Sequence, residues 1–213
     1  MRPYETDPAA IYAQSFATVR REARLERFPP GLQAMAIRLI HACGMVDVAD
    51  RLAFSEAAWE AGRTALLSGA PVLCDCEMVA AGVIRRSLPA ENEVVVTLND
   101  PQVPQRAKAI SNTRSAAAVE LWAGRLDGAV VAIGNAPTAL FHLLELIDAG
   151  APRPAVILGF PVGFVGAAES KAELAANPRG CAYVALRGRR GGSAMASAAV
   201  NALAAGLPGE EIR

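Results

Sequence analysis

The side chains of this chain that could move a proton or hold an anion are two histidines and a scattered set of arginines, serines and carboxylates. His41 lies in GLQAMAIRLIHACG, where Leu32, Met35, Ala36, Leu39, Ile40 and Cys43 recur at helical spacing, the stripe of a helix packed on a core. His41 falls on the opposite side with Ala34 and Ile37. An apolar outer face with one imidazole suits a ligand pocket or a second subunit better than open water. In the last turn before Gly44 it sits at the negative end of the helix, where a proton donor near neutral pH is well placed. Ser15 interrupts the apolar row of Ile11 and Val19. It either bonds back to the Ile11 carbonyl, the reading expected here, or reaches a ligand. Arg114, in SNTRSAAAVELW, follows the candidate N-cap Thr113, where the helix dipole disfavours a cation. A ligand carboxylate shared between the guanidinium and the helix amides would make that position an anion site.

Three junctions, GNAPT, GFPVGFVGAAES and RGRRGGSAMA, put glycines and small residues directly before a helix. Free N–H groups at a helix start favour phosphate or carboxylate, although short strand-to-helix turns need glycine in any case. Arg187, Arg189 and Arg190 crowd the last junction, either as charge for an acidic small molecule or as a solvated surface run. Asp75 and Glu77, after PVLC, could orient a base or a substrate amine. A cap on the next helix explains Asp75 equally well. His142, among the leucines of TALFHLLELI, reads as a packing residue. His41 and Cys43 fall on different faces of their helix, so no metal site is expected. No nucleophile elbow appears, and neither GxGxxG nor a P-loop, so hydrolase chemistry and nucleotide cofactors are disfavoured.

The elements that must position these residues follow from pattern. Asp7 and Pro8 open a helix read over 8–28, and Pro29 and Pro30 stop it. A second helix runs to Gly44, and a third, SEAAWEAGRTALLSG, starts at the N-cap candidate Ser55. Beyond Gly69 the strand candidates PVLCD, EVVVTL, AVVAIG, PAVILGF and CAYVAL alternate with helical patterns. Their continuous apolar runs predict a parallel sheet of five strands buried on both faces. The fold class is therefore α/β, a three-layer sandwich with a mainly parallel central sheet and helices on both faces. One domain is expected over 1–213, with the helical first 70 residues packed onto the same sheet. In such sheets ligands bind beyond the carboxyl ends of the strands.

With 53% apolar and 20% charged residues, the composition is that of an ordered globular protein. The balance of 21 basic and 21 acidic residues argues against a nucleic-acid binder, so an anionic partner must be held by local clusters. No apolar stretch approaches the roughly 18–20 residues that span a bilayer, and MRPYETDPAA lacks a signal-peptide pattern, so no membrane partner and a cytoplasmic location are expected. The four cysteines match no zinc spacing and read as reduced, mostly buried thiols.

DPAAIYAQSFATVR, MAIRLIHACGMVD, SNTRSAAAVELW, IGNAPTALFHLLELI, LGFPVGFVGAAESK and RGRRGGSAMASAAVNAL are spread along nearly the whole chain, and in them it resembles the precorrin-8X methylmutases of corrin (vitamin B12) biosynthesis. The resemblance implies an isomerase that moves a methyl group from C11 to C12 of the macrocycle, converting precorrin-8X to hydrogenobyrinate without a redox cofactor. It implies that the histidine of IHACGM, His41, is catalytic and that the arginine of the TRS motif, Arg114, binds substrate. Ser15, Gly134, Asn135, Gly163, Gly192 and Ser193 are implied around the substrate carboxylates. It further implies a homodimer with sites near the interface. A direct hand-over of product to a later enzyme is left open, as are a cobalt-containing substrate and a non-catalytic corrinoid carrier.

Overall fold

A computed structural model of the chain describes Arg2 and residues 4–209. Met1, Pro3 and residues 210–213, which include the ends of the domain expected over 1–213 and part of the stretch read for a leader, lie outside the described residues. The elements run α1 (Pro8–Glu22), α2 (Pro30–Cys43), the single turn α3 (Val48–Arg51), β1 (Leu52–Phe54), α4 (Ala58–Leu67), β2 (Val72–Cys74), α5 (Glu77–Gly82), β3 (Val94–Val96), α6 (Val103–Ala109), α7 (Arg114–Glu120), β4 (Val130–Ile133), α8 (Pro137–Asp148), β5 (Val156–Gly159), α9 (Ala167–Ala176), β6 (Ala182–Leu186) and α10 (Ser193–Ala205). The sheet order is β1-β6-β5-β4-β2-β3. The five expected strands pair in parallel. A sixth, β1, runs antiparallel on β6 with Leu52 opposite Leu186. At three residues it is too short for its alternation to register in the sequence.

Successive strand residues face opposite sides, and both sides are apolar. Val130, Ala132, Val156 and Leu158 join the core that includes α2, α4 and α10. Val131, Ile133 and Ile157 join Val119 of α7, Leu140 of α8 and Leu174 of α9 on the other face. Each such side chain contributes about 1.5–3 kcal/mol by leaving water, which is why helices cover both faces. Only part of the helical first 70 residues reaches the sheet. α4 packs on strands, whereas α2 packs across α10, which itself lies on β4 and β5. α10 can serve as a middle layer because its sequence, SAMASAAVNALAA, is small or apolar all round and buried from Met195 to Ala204.

Two helix boundaries differ from expectation. α1 ends at Glu22 rather than at 28, because Ala23, Leu25 and Phe28 leave the helical path to bury themselves in the core. α4 starts at Ala58, and Ser55 does not cap it. Its N–H donates to the Tyr183 carbonyl and its hydroxyl accepts from the Tyr183 N–H, extending the pairing of β1 with β6. The other caps match the sequence pattern: Asp7 accepts from the Ala9 N–H at 3.1 Å, Thr113 from the Ala116 N–H at 3.2 Å, and Gly44 takes the left-handed conformation after α2. The described cysteines are free, with Cys74, Cys76 and Cys181 buried.

Lys171 of α9 is wholly buried, its ammonium donating to the Arg190 carbonyl at 2.5 Å. Burial lowers its pKa from 10.5 to about 8. Between those values the unfolded chain holds a proton that the native state has released, so this lysine's contribution to stability rises with pH across the window. Lys171→Met is therefore expected to compare most favourably with the parent chain below pH 8. The difference should shrink by on the order of 2 kcal/mol toward pH 10.5 in urea denaturation; a pH-independent difference would contradict a buried ammonium.

Candidate active site

α2 starts where Pro29 and Pro30 prevent any earlier helical turn and ends at Gly44, so His41 occupies its last turn. α1 packs against this end. Tyr12 and Phe16 bring their rings to 5.3 and 5.5 Å from the imidazole, the second edge-on. The Ser15 hydroxyl lies 2.8 Å from His41 Nδ1. This corrects the expected back-bond to Ile11: the face of α1 that carries Ser15 is turned to α2, and the imidazole, 26 residues away in sequence, is its partner. The bond fixes the ring's orientation, and Nε2 has no hydrogen-bond partner among the described residues. The neighbourhood also differs from expectation in Ile37, which is buried rather than on an outer face, because α2 is enclosed on nearly every side.

His41 stands where two clefts meet. One, of about 440 Å³, lies between α2, α5 and α10 and is lined by Arg38, Met78, Ser193, Ser197 and Asn201 among others. The second, of about 450 Å³, runs along α1 past Ile11, Gln14, Ser15 and Glu22. Both fall in the range of small-molecule sites. A larger recess of about 620 Å³ opens beside Pro71, Gly128 and Ala155, before the amino ends of β2, β4 and β5, and so on the edge of the sheet away from the three glycine junctions.

At the carboxyl edge the chain leaves β2 toward β3 on one side while β4 lies on the other, making a topological switch point. Asp75 fills it. Its carboxylate accepts from the N–H groups of Gly134 at 2.9 Å, Asn135 at 2.9 Å and Ala136 at 2.8 Å. Burial pushes the Asp75 carboxyl up, and these three donors, together with the Cys76 side chain, pull against that rise. Asp75 therefore caps the turn across the switch point rather than its own next helix, whose N-cap is Cys76. Gly134 is needed there for closeness: a Cβ would come within 2.8 Å of the Ser193 Cα and of Val79 and Ala196 side-chain atoms. The N–H groups of Gly134 and Asn135 are thus occupied by protein, and Asn135 is exposed.

The other junctions are zipped to one another. The Gly163 N–H donates to the Arg189 carbonyl at 3.1 Å and the Gly192 N–H to the Phe160 carbonyl at 2.8 Å. Arg190 pairs with Asp47 at 2.8 Å, and Arg189 lies 5.4 Å over the Phe164 ring, so the arginine cluster is spread among separate partners. Ser193 opens α10 and lines the His41 cleft. Arg114 is exposed, donates to the Leu98 carbonyl at 3.1 Å and to Asn99 at 3.4 Å, and lines neither cleft. Glu77 reaches Asn99 at 3.5 Å. His142 lies between Glu120 and Glu145, at 3.2 and 2.9 Å, and ties α8 to α7. Arg38 escaped the sequence reading, although its position three residues before His41 on one helix was a usable signal.

A family model described as precorrin-8X methylmutase matches residues 10–205. The chain is 64% identical to the precorrin-8X methylmutase of Pseudomonas aeruginosa over 96% of this chain and 98% of that protein. It is 34% identical to the cobalt-precorrin-8 methylmutase of Priestia megaterium, over 95% and 89% of the two chains. A crystal structure of precorrin-8X methylmutase from Thermus thermophilus superposes with a TM-score of 0.82 at 42% identity, covering 92% of this chain and 94% of that one.

Replacing Asp75 by asparagine puts an amide NH₂ against one of three converging N–H donors. Asp75→Asn should destabilise the protein by about 2–4 kcal/mol in urea denaturation, and unchanged stability would mean that the switch-point turn does not depend on the carboxylate.

Proposed function

The chain belongs to the precorrin-8X methylmutase family, isomerases of cobalamin biosynthesis, and on that premise we propose that its His41 clefts convert precorrin-8X to hydrogenobyrinate by a 1,5-sigmatropic shift of one methyl group from C11 to C12. The observation that carries this reading is the 2.8 Å bond between Ser15 Oγ and His41 Nδ1, which holds the imidazole with Nε2 unpaired at the meeting of two clefts. A proton or hydrogen bond given from Nε2 to the macrocycle draws electron density from its π system. The bond from the methyl carbon to C11 then breaks as the bond to C12 forms, and mass is unchanged. Tyr12 and Phe16 keep the ring from swinging away, so the donor is oriented before substrate arrives.

Met78, Ala81 and Ala198 offer apolar contact to the macrocycle. Its carboxylates are met by side chains, those of Arg114, Asn135 and Ser193, beside the loops at Gly163 and Gly192 whose N–H groups are already engaged, with Ser15 holding the histidine. Gly134 acts by letting α10 approach. We assign the site to a homodimer interface: Arg114 stands outside both clefts of its own chain, and Met78, which lines the cleft, is an apolar side chain left 71% exposed. Light scattering should give twice the chain mass. The metal-free substrate is favoured over the cobalt form because identity to the relative named for it is much the higher.

The test is incubation with precorrin-8X, following the visible spectrum and product mass, in parallel with the cobalt form. His41→Asn should lower turnover by about a hundred- to ten-thousandfold with little change in melting temperature, and Ser15→Ala by about five- to tenfold. Near-normal turnover in His41→Asn would sink the general-acid role, and binding without conversion by the parent chain would leave only a carrier.

A further inference from the structure

His142 of α8 has a carboxylate against each ring nitrogen. Nδ1 lies 2.9 Å from Glu145 Oε2 on its own helix, and Nε2 lies 3.2 Å from Glu120 Oε1 on α7. A neutral imidazole donates from one nitrogen and turns a lone pair to the other acceptor, so this place fits the imidazolium, which donates from both. The side chains of His142 and Glu120 are 12% and 18% exposed, which keeps the pair largely out of water. Glu120 ends α7, and its second oxygen accepts from Arg106 of α6 at 2.9 Å. α9, also packed on α8, puts no ion pair on the ring among the described residues. What this joint holds is lightly built. α6 packs chiefly on α7, and the two share a small cluster of Val103, Ala107, Ala117 and Ala118, apart from the cores on the two faces of the sheet. Alanines make up most of it, so polar ties carry much of the task of fixing where the pair sits. Besides the joint at Glu120, the Thr97 hydroxyl donates to the Ala118 carbonyl at 2.7 Å and the hydroxyls of Thr113 and Thr138 meet at 2.8 Å. Arg114 stands at the opposite end of α7 from Glu120, bonded to Leu98 and Asn99 through Nη2 alone.

We propose that His142 is a positioning residue: as an imidazolium it locks α7 to α8 through Glu120 and so sets where Arg114 meets a substrate carboxylate. This rests on the methylmutase reading, which gives Arg114 that contact. Glu120 and Arg114 are about 9 Å apart along one short helix, and a helix carries a shift at one end to the other. Deprotonation removes the ring's charge and sets a lone pair against one of the two carboxylates, so the lock weakens as pH rises. An acidic ligand is then held most tightly while the ring keeps both protons, and by reciprocity the bound ligand favours the protonated ring. The effect falls on affinity and leaves the proton donor of the methyl shift, His41, untouched.

The experiment is a visible-absorption titration with hydrogenobyrinate at intervals from about pH 6 to 8. It compares the parent chain, His142→Gln and His142→Lys, and repeats the first two in an Arg114→Gln background, with melting curves at each pH. Across the range Kd should rise about fivefold more in the parent chain than in His142→Gln, a comparison in which any titration of His41 cancels. His142→Lys keeps its cation throughout and should share the slope of His142→Gln while binding as tightly as the parent chain does at low pH. In the Arg114→Gln background the two slopes should coincide. Equal slopes in the parent chain and His142→Gln, with only the melting temperature lowered, mean a merely structural role and overturn the proposal, as does a difference in slope that survives Arg114→Gln. If His142→Gln fails to fold, ring nitrogen chemical shifts decide. The chain has two histidines, so in His41→Asn the signal belongs to His142 alone. An imidazolium near pH 6 whose titration moves upward when hydrogenobyrinate is added upholds the proposal, and a neutral ring there, or a titration that the ligand leaves unmoved, overturns it. Failure of the parent chain to bind hydrogenobyrinate at any pH overturns the methylmutase reading, whereas binding with a slope that ignores His142 overturns the lock alone.

Discussion

Asp75 brings a carboxyl group to the place where the sheet changes direction, and the three N–H groups that open the turn after β4 converge on it. An open α/β sheet offers this place to a ligand anion, because the strands there diverge and the following helices point their N-termini into the gap. Here the protein supplies the anion itself. The bonds join β2 to the turn before α8 across some 60 residues of sequence, and they set where α5 and α8 begin. Gly134 then lets α10 come within contact of that turn, and the approach of α10 decides where Ser193 and the rest of the cleft wall lie. Without a satisfied carboxylate at this point, three converging donors, that of Gly134 buried, would need water or ligand, and the walls of the cleft would have no fixed origin.

The same logic explains the glycine-rich junctions. Their spacing before helices suggests loops left open for a ligand's carboxylates, yet Gly163 and Gly192 bond to the neighbouring loop, and Lys171 holds the Arg190 carbonyl from behind. At Gly191 a side chain would collide with the carbonyl oxygens of Phe160 and Pro161, so this glycine exists because two loops cross in contact. Glycine before a helix therefore has two physical meanings, an open nest or a tight crossing, and the sequence pattern is the same for both.

What the sequence made legible was what periodicity and capping control. The five parallel strands, the extent of α2 and the caps Asp7, Thr113 and Gly44 each follow from residues within one helix turn or one strand of the feature. What stayed hidden depends on partners far along the chain. Ser15 could be placed on a helix but not given His41, 26 residues away, and Asp75 was one of two strand-end carboxylates until β4 lay beside β2. β1 is three residues long, and Ser55 looked like a helix cap because a serine before a helical run has the same local signature whether it caps or pairs with Tyr183. His41 was found by its place on a helix. The reason for that place, an α1 helix whose Ser15, Tyr12 and Phe16 close around the ring, was not local to its own helix.

The N–H groups of Gly134, Asn135, Ala136, Gly163 and Gly192 are engaged within the protein, and the helix that carries His41 is not in the layer next to the sheet. α10, small and apolar on all sides, occupies that layer, and α2 is stacked outside it with Arg38 and His41 on the cleft side. Side chains on a helix keep fixed mutual spacing, whereas turn amides shift with their loops. A site built on α2 thus keeps His41 at a fixed place in the cleft while the Gly163 and Gly192 loops bond to one another. That division accounts for a cleft one layer above the usual switch point. It also accounts for why an outer helix, the least supported position in a layered fold, is enclosed so completely by α1, α4 and α10.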